Sequence, residues 1–278
     1  MMTLPGVELT TALADLQPRR HALRMSPLLD PLFVDSTSGV SGGEVSVVLG
    51  APGVGKSRLA MQWLSWVCRQ YGTPGLYVST DGEMAASQVI ELAQALGALD
   101  AGIYLEGASI SIPHSVWHPD ELYSVISSLR SAPVPVPVVV DSLLGLATTW
   151  QQERAVRSLK EAAVLGNAAV MLLAGNHAVG SGAGPRSLLH PADAALRVTL
   201  DESDADCRRI TVVKNRHGRV PLSALVRHTD SGLVPVLADG SDGAEAGNVA
   251  ERGFIEALAD DVSPLSVHVV EGEVCDGP

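Results

Sequence analysis

The sequence predicts an α/β fold: a mainly parallel β-sheet flanked by helices, with antiparallel hairpins on its C-terminal side. Three observations predict it. Short apolar runs alternate with segments of helical period between residues 44 and 175, the rhythm of strand–helix–strand crossovers. After residue 194 β-type runs follow one another, separated by turn residues, which builds hairpins. A glycine-rich segment joins the first strong strand to the first strong helix.

The elements follow in order. Residues 1–40 read as an N-terminal arm or linker, with a weak helical pattern over Val7–Leu16 and proline-punctuated, irregular chain at "SPLLDPLFVDSTSG". "EVSVVLG" (44–50) is a short apolar strand, and "GKSRLAMQWLSWVCRQYG" (55–72) a helix with Gly72 just past its end. "GLYVST" (75–80) is a buried strand, "AASQVIELAQALG" (85–97) a helix with apolar residues at helical spacing, and "IYLEG" (103–107) a short strand. "PDELYSVISSLR" (119–130) begins with proline and acids, which suit the first turn of a helix. "VPVVVDS" (136–142) is a strand, "ERAVRSLKEAAVLG" (153–166) a helix and "AAVMLLAG" (168–175) a strand. "ALRVTLD" (195–201), "RRITVVK" (208–214) and "VPLSALVRH" (220–228) supply the hairpins. Residues 41–237 therefore form one domain. From 238 to 278 Gly, Asp and Ala replace apolar periodicity, which reads as a flexible acidic tail with one helical stretch at 250–260.

Hydrophobic residues make up 46% of the 278 and aromatics only 4%, so the core must be built from Ala, Val and Leu. Three cysteines without metal-ligand spacing argue against a zinc site or a disulfide framework. The first twenty residues carry acids and no long apolar run, and no run of about 18 apolar residues exists elsewhere. A cytoplasmic protein with no membrane span is the expectation. The net charge of −12 argues against a polyanionic partner, but residues 238–278 hold ten acids and one arginine. That leaves −3 on the rest, a body neutral enough to hold a local basic groove.

"GAPGVGKS" (50–57) matches G-x-x-x-x-G-K-[ST], between a strand and a helix. The loop Gly50, Ala51, Pro52, Gly53, Val54 and Gly55 would curl around phosphates, with every residue but Pro52 offering a backbone N–H, at a helix N-terminus that adds the positive end of its dipole. Lys56 would reach the β- and γ-phosphates of ATP, Ser57 would ligate Mg²⁺, and Arg58 completes the binding segment. Asp141 closes the apolar run "PVVVD" and would hold the Mg²⁺ through water. Beyond the adjacent strand "YVSTDGEM" supplies Glu83 as the first candidate for the base and Asp81 as the second. The alternative is that these acids only cap the following helix.

The later motifs carry a resemblance. "GPRSLLHPAD" (184–193) resembles the A-G-P-R-x-L-E-H-x-x-D segment of bacterial RadA, "VKNRHG" (213–218) its V-K-N-R-F-G, and "EM" (83–84) the L-E-M of DnaB-type helicases. Over residues 42–235 the chain resembles the RecA-like ATPases of the RadA and DnaB group. It resembles their ATPase core alone, without RadA's four-cysteine zinc module and protease-like domain or DnaB's N-terminal helical domain. The segment after His177 is shorter than in RadA and lacks its lysine, and His217 replaces the phenylalanine. The resemblance implies a hexameric ring that binds single-stranded DNA, as helicases and recombination factors do. It also implies that Lys214 and Arg216 reach into the neighbouring subunit's ATP site. Residues two apart on extended chain point the same way, so one γ-phosphate can meet both. A turn needs Asn and Gly; it does not need Lys214 and Arg216.

Two segments would face the ring's channel: 143–154, with Trp150 and Arg154, and 178–187, with Arg186. Arginines, backbone amides and an aromatic suit a single strand. Trp150 can equally be a core or subunit-contact residue. Asn176 or His177 would sense the γ-phosphate, and the choice between them is open. Two other readings stand beside this one. One is a KaiC-like regulatory ATPase that uses no DNA. The other is a metal-dependent nuclease using the carboxylates of "DESDAD" (201–206), a stretch that reads more simply as a solvated turn.

Overall fold

The computed structural model describes residues 22–23, 26, 28–33, 40–80, 86–101, 103–107, 119–129, 134–146, 151–175, 189–218, 220 and 222–236. Among them a two-residue ribbon pairs β1 (Ala22–Leu23) with β2 (Val40–Ser41). The main sheet contains β3 (Glu44–Gly50), β4 (Gly75–Ser79), β5 (Ile103–Gly107), β6 (Val136–Asp141), β7 (Ala168–Gly175), β8 (Ala194–Leu200), β9 (Cys207–Asn215), β10 (Leu222–Thr229) and β11 (Gly232–Pro235). Its order is β11-β10-β9-β8-β3-β7-β6-β4-β5. From β8 across to β5 every pairing is parallel, and from β8 outward to β11 every pairing is antiparallel. This is the expected architecture of parallel sheet plus hairpins.

All seven residues of β3 are buried, as they must be in a parallel strand covered on both faces. Its alternation sorts side chains into two cores. Val45, Val47 and Leu49 pack with Leu122 and Ile126 of helix α3 (Pro119–Ser128) and with Val156 and Leu159 of helix α5 (Gln152–Gly166). Val48 faces the other way, toward Leu59, Trp63 and Val67 of helix α1 (Lys56–Tyr71) and Val89 of helix α2 (Ala86–Ala95). Helices thus cover both faces of the sheet. The apolar positions of α1 recur at i, i+4 and i+8, one face of a 3.6-residue period.

Besides the β1–β2 ribbon, the structure differs from the sequence expectation at several places. The segment expected as irregular at 26–39 contains a 3-10 helix, Asp30–Phe33, and buries Leu29, Leu32 and Phe33 in the core beside Ile210, Val212 and Val226. The expected channel segment at 143–154 begins with a helical turn, α4 (Leu143–Leu146), whose Leu143 and Leu146 are buried. Its Gln152–Arg154 end belongs to α5. Strand β11 was not expected, and it extends the hairpin region by one edge. The helical patterns at 7–16 and 250–260 lie outside the described residues. Among the described residues no helix is long and apolar enough to cross a membrane.

One contact sets the α3–α5 spacing. A Cβ added to Gly166 would lie 1.9 Å from the Ile126 carbonyl oxygen, a backbone atom that cannot swing aside. Gly166→Ala is expected to destabilise the domain by about 1–3 kcal/mol through overpacking. A urea unfolding midpoint equal to that of the wild type would show that the two helices separate freely.

Candidate active site

The nucleotide site grows from the end of β3. Gly50 has no room for a side chain: a Cβ there would lie 2.7 Å from Val54 Cγ1 and 2.9 Å from the Val198 carbonyl oxygen. Gly55, with φ 100°, turns the chain into α1 through left-handed backbone. Between them Ala51, Pro52 and Gly53 stand exposed, while Val54 is buried and anchors the loop. Lys56 folds its ammonium back to donate to the carbonyls of Gly50 (3.1 Å) and Ala51 (2.9 Å). The first turn of α1 holds no acid, so its positive end is left for an anion.

A second group of side chains converges beside the loop. Asp141 ends β6, and its Oδ2 accepts from Ser57 Oγ (2.6 Å) and from the Tyr77 hydroxyl (2.6 Å). Ser57, Tyr77 and Asp141 come from α1, β4 and β6, so this point is fixed by three elements. Tyr77 is fully buried and was not foreseen; its central place in an apolar strand concealed a polar tip. The Thr80 N–H donates to the Asp141 carbonyl (2.7 Å), and its hydroxyl donates to the Ser142 carbonyl. These two bonds hold Thr80 beside Asp141. Asp81 and Glu83 themselves lie outside the described residues, as do Asn176, His177, Trp150 and Arg186.

Arg58 does not join this convergence. Its Nη1 donates to the carbonyls of Thr229 (3.0 Å) and Asp230 (2.9 Å), in the β10–β11 turn. Gln62, one turn further along α1, exchanges two bonds with the Leu233 backbone, at 3.0 and 2.8 Å. The phosphate-loop helix is thus bolted to the outer hairpin. His228 comes close to Gly55, and burial, with Arg58 and Arg208, holds its imidazole below the usual range.

The tip of the β9–β10 hairpin lies at the opposite end of the sheet. Asn215 pairs with Ala194, and Ala194 with Ser46, near the start of β3. His217 Nε2 is 3.0 Å from Oε1 of Glu44, the first residue of β3. Lys214 Nζ donates to the carbonyls of Leu189 (2.7 Å) and His190 (3.0 Å). Burial and the nearby Arg216 lower its pKa. Arg216 Nη1 pairs with Asp193 Oδ1 at 2.7 Å. Arg154 stands exposed in the first turn of α5.

A glycine loop with Lys56 and Ser57 at a helix start, facing a strand-end aspartate on a mainly parallel sheet, defines a P-loop ATPase domain of RecA-like fold. The family model described as "ATPase: KaiC" matches residues 27–240, and the chain belongs to that family. The protein named DNA repair protein RadA from Mycobacterium tuberculosis is 32% identical over 209 residues, covering 71% of this chain and 40% of that protein. RadA from Streptococcus pneumoniae is 32% identical over 202 residues, covering 72% of this chain and 46% of that one. The chain thus spans less than half the length of these curated relatives. A crystal structure of a KaiC-like protein from Pyrococcus horikoshii OT3 superposes with a TM-score of 0.61 at 16% identity, over 78% of this chain and all of that one, a likeness of fold.

Proposed function

We propose that this chain is a nucleic-acid-dependent ATPase of the helicase or recombination type, which assembles into a ring, six-membered by the family resemblance, and hydrolyses ATP at subunit boundaries while holding single-stranded DNA. One observation carries the ring. Arg216 and His217 sit level with the start of β3, about 15–20 Å along the strand from Gly50 at ~3.3 Å per residue. A hairpin so placed is far from its own phosphate loop and is free to serve another subunit's nucleotide.

Within one site the residues divide the work. Lys56 exchanges its carbonyl partners for the β- and γ-phosphates, and the loop amides hold the rest. Ser57 and Asp141 are hard oxygen donors already 2.6 Å apart, a pairing that fits Mg²⁺. When bound, that ion neutralises charge on the phosphate oxygens. Glu83, with Asp81 as the second candidate, orients and deprotonates the attacking water. Asn176 or His177 senses the γ-phosphate, and Lys214 and Arg216 of the adjoining subunit stabilise the transition-state charge.

Arg154, Arg186 and Trp150 would meet the polymer. Each phosphate contact contributes about 0.7 to the slope of log affinity against log salt for a single strand. The Arg154→Ala/Arg186→Ala double variant should therefore flatten that slope by about 1.4 while sparing DNA-free turnover. An unchanged slope removes these segments from the binding path.

The deciding experiment is the ATPase rate with and without single-stranded DNA, alongside the mass of the assembly. The family model carries the name KaiC, and this favours one competing reading, a regulatory ATPase indifferent to DNA. A rate that no single strand changes would select it. The nuclease reading gains nothing from the 201–206 turn. Asp201 accepts from Ser203 and Arg209, and Asp204 from the Asp206 N–H and the Cys207 thiol. These bonds build the turn and lower both carboxyl pKa values.

A further inference from the structure

The chain has three lysines, and the phosphate loop takes one. The other two, Lys160 and Lys214, lie around Asp193. Asp193 is 3% exposed, and its backbone and side chain are both fully engaged in one corner of the fold. Its N–H donates to the Val45 carbonyl (2.8 Å), and its carbonyl accepts the Arg216 N–H (2.9 Å). Its carboxylate accepts the Val45 N–H (3.0 Å), the Lys160 ammonium and Arg216 Nη1 (2.7 Å). Lys214 adds its bonds to Leu189 and His190 just upstream.

A buried carboxylate needs one cation to offset its desolvation. Asp193 has two, so the group carries a net positive charge. Lys160 is the more enclosed partner, with 25% of its side chain exposed against 47% for Arg216. The guanidinium has five N–H donors in a rigid fork, and Asp193 takes up only one edge of it. From this geometry we infer that Asp193, with Lys160 as its second counterion, is a positioning residue for the hydrolysis reaction. It holds one edge of Arg216 so that the rest of the fork is presented to the neighbouring subunit's γ-phosphate. Lys160 keeps Asp193 from neutralising the arginine it orients. The inference rests on the cross-subunit role of Arg216 proposed above.

The test uses the full chain in its DNA-bound assembly. Asp193→Asn keeps the shape and an acceptor for the Val45 N–H but loses the charge that orients Arg216. Misplacement of a reacting group by about 1 Å costs on the order of 10²-fold, so kcat should fall about 10- to 100-fold. KM for ATP should stay within about twofold, because the variant's own phosphate loop lies at the other end of the sheet. Mixed with Lys56→Ala, which retains a sound hairpin, Asp193→Asn should regain turnover; mixed with Arg216→Ala it should not. Near-normal turnover in Asp193→Asn, where Arg216→Ala is inactive, overturns the inference and leaves the hairpin reading intact. Near-normal turnover in Arg216→Ala overturns that reading and this inference with it. An Asp193→Asn variant that regains activity with neither partner has a general structural defect, which also overturns the positioning role. If Asp193→Asn does not fold, Arg216→Lys decides. A lysine cannot serve carboxylate and phosphate together, so its turnover should stay near that of Arg216→Ala. Recovery to within about threefold of wild type would overturn the shared fork.

Discussion

Lys56→Ala is expected to reduce ATP turnover to background and to remove most nucleotide affinity. The Lys56 ammonium already sits among the carbonyls of the loop, donating to Gly50 and Ala51. It is the one lysine of the phosphate loop, and loss of its charge leaves the polyphosphate with backbone amides and the helix end alone. Glu83→Gln is expected to separate binding from chemistry. It keeps the loop, Ser57 and Asp141, so ATP should bind as before, while turnover falls by about 10²–10⁴-fold, the usual contribution of a positioned general base. Isothermal titration with ATP and a phosphate-release assay measure the two effects independently. Near-normal turnover in Glu83→Gln would transfer the role to Asp81, the second candidate. Retained turnover in Lys56→Ala would remove the loop from the chemistry altogether.

Arg216→Ala should lower turnover by about 10³–10⁵-fold with little change in ATP affinity, the signature of a group that acts on transition-state charge. The sheet geometry adds a sharper expectation. Lys56→Ala spoils a subunit's own loop and keeps its hairpin; Arg216→Ala does the reverse. In a mixed ring some intact loops sit beside intact hairpins, so turnover should rise and fall as the ratio of the two variants is varied. Subunits exchanged over a range of ratios, with mixing verified by mass, give the curve. A flat baseline in mixed rings would place the hairpin's action within its own subunit, or nowhere.

The sheet and the phosphate loop were legible because both rest on local signals. Seven consecutive buried positions in β3 read as an apolar run, and the glycines of "GAPGVGKS" read as a turn into a helix. Asp141 was legible as the polar end of such a run. What escaped was either too short or too distant in sequence. β11 is four residues ending in proline, which gives alternation no room. Leu29, Leu32 and Phe33 do stand at i, i+3 and i+4, but two prolines disguised that period as irregular chain. Asp193 was legible as part of a motif and Lys160 as one of three lysines, but not their pairing, which brings together residues 33 apart with no shared pattern. The scarcity of lysine was the available clue. The tie between Arg58 and the β10–β11 turn spans 171 and 172 residues, and no local rule could have foreseen that pairing.

The strand order also governs how this chain can be made. β3 ends at Gly50, yet the two strands that flank it in the sheet are β7, beginning at Ala168, and β8, beginning at Ala194. β9, β10 and β11, by contrast, each follow closely on the strand they pair with. On the ribosome, at roughly 5–20 residues per second, an apolar strand destined for full burial spends on the order of ten seconds without either neighbour. Until then its unpaired edges are open to any other extended segment, including the same strand in a nascent chain alongside. Gly50, where the phosphate loop begins, gains its strand partner Val198 only when β8 has been synthesised. A chain cut short before β8 would carry the whole glycine motif on a strand still open along one edge.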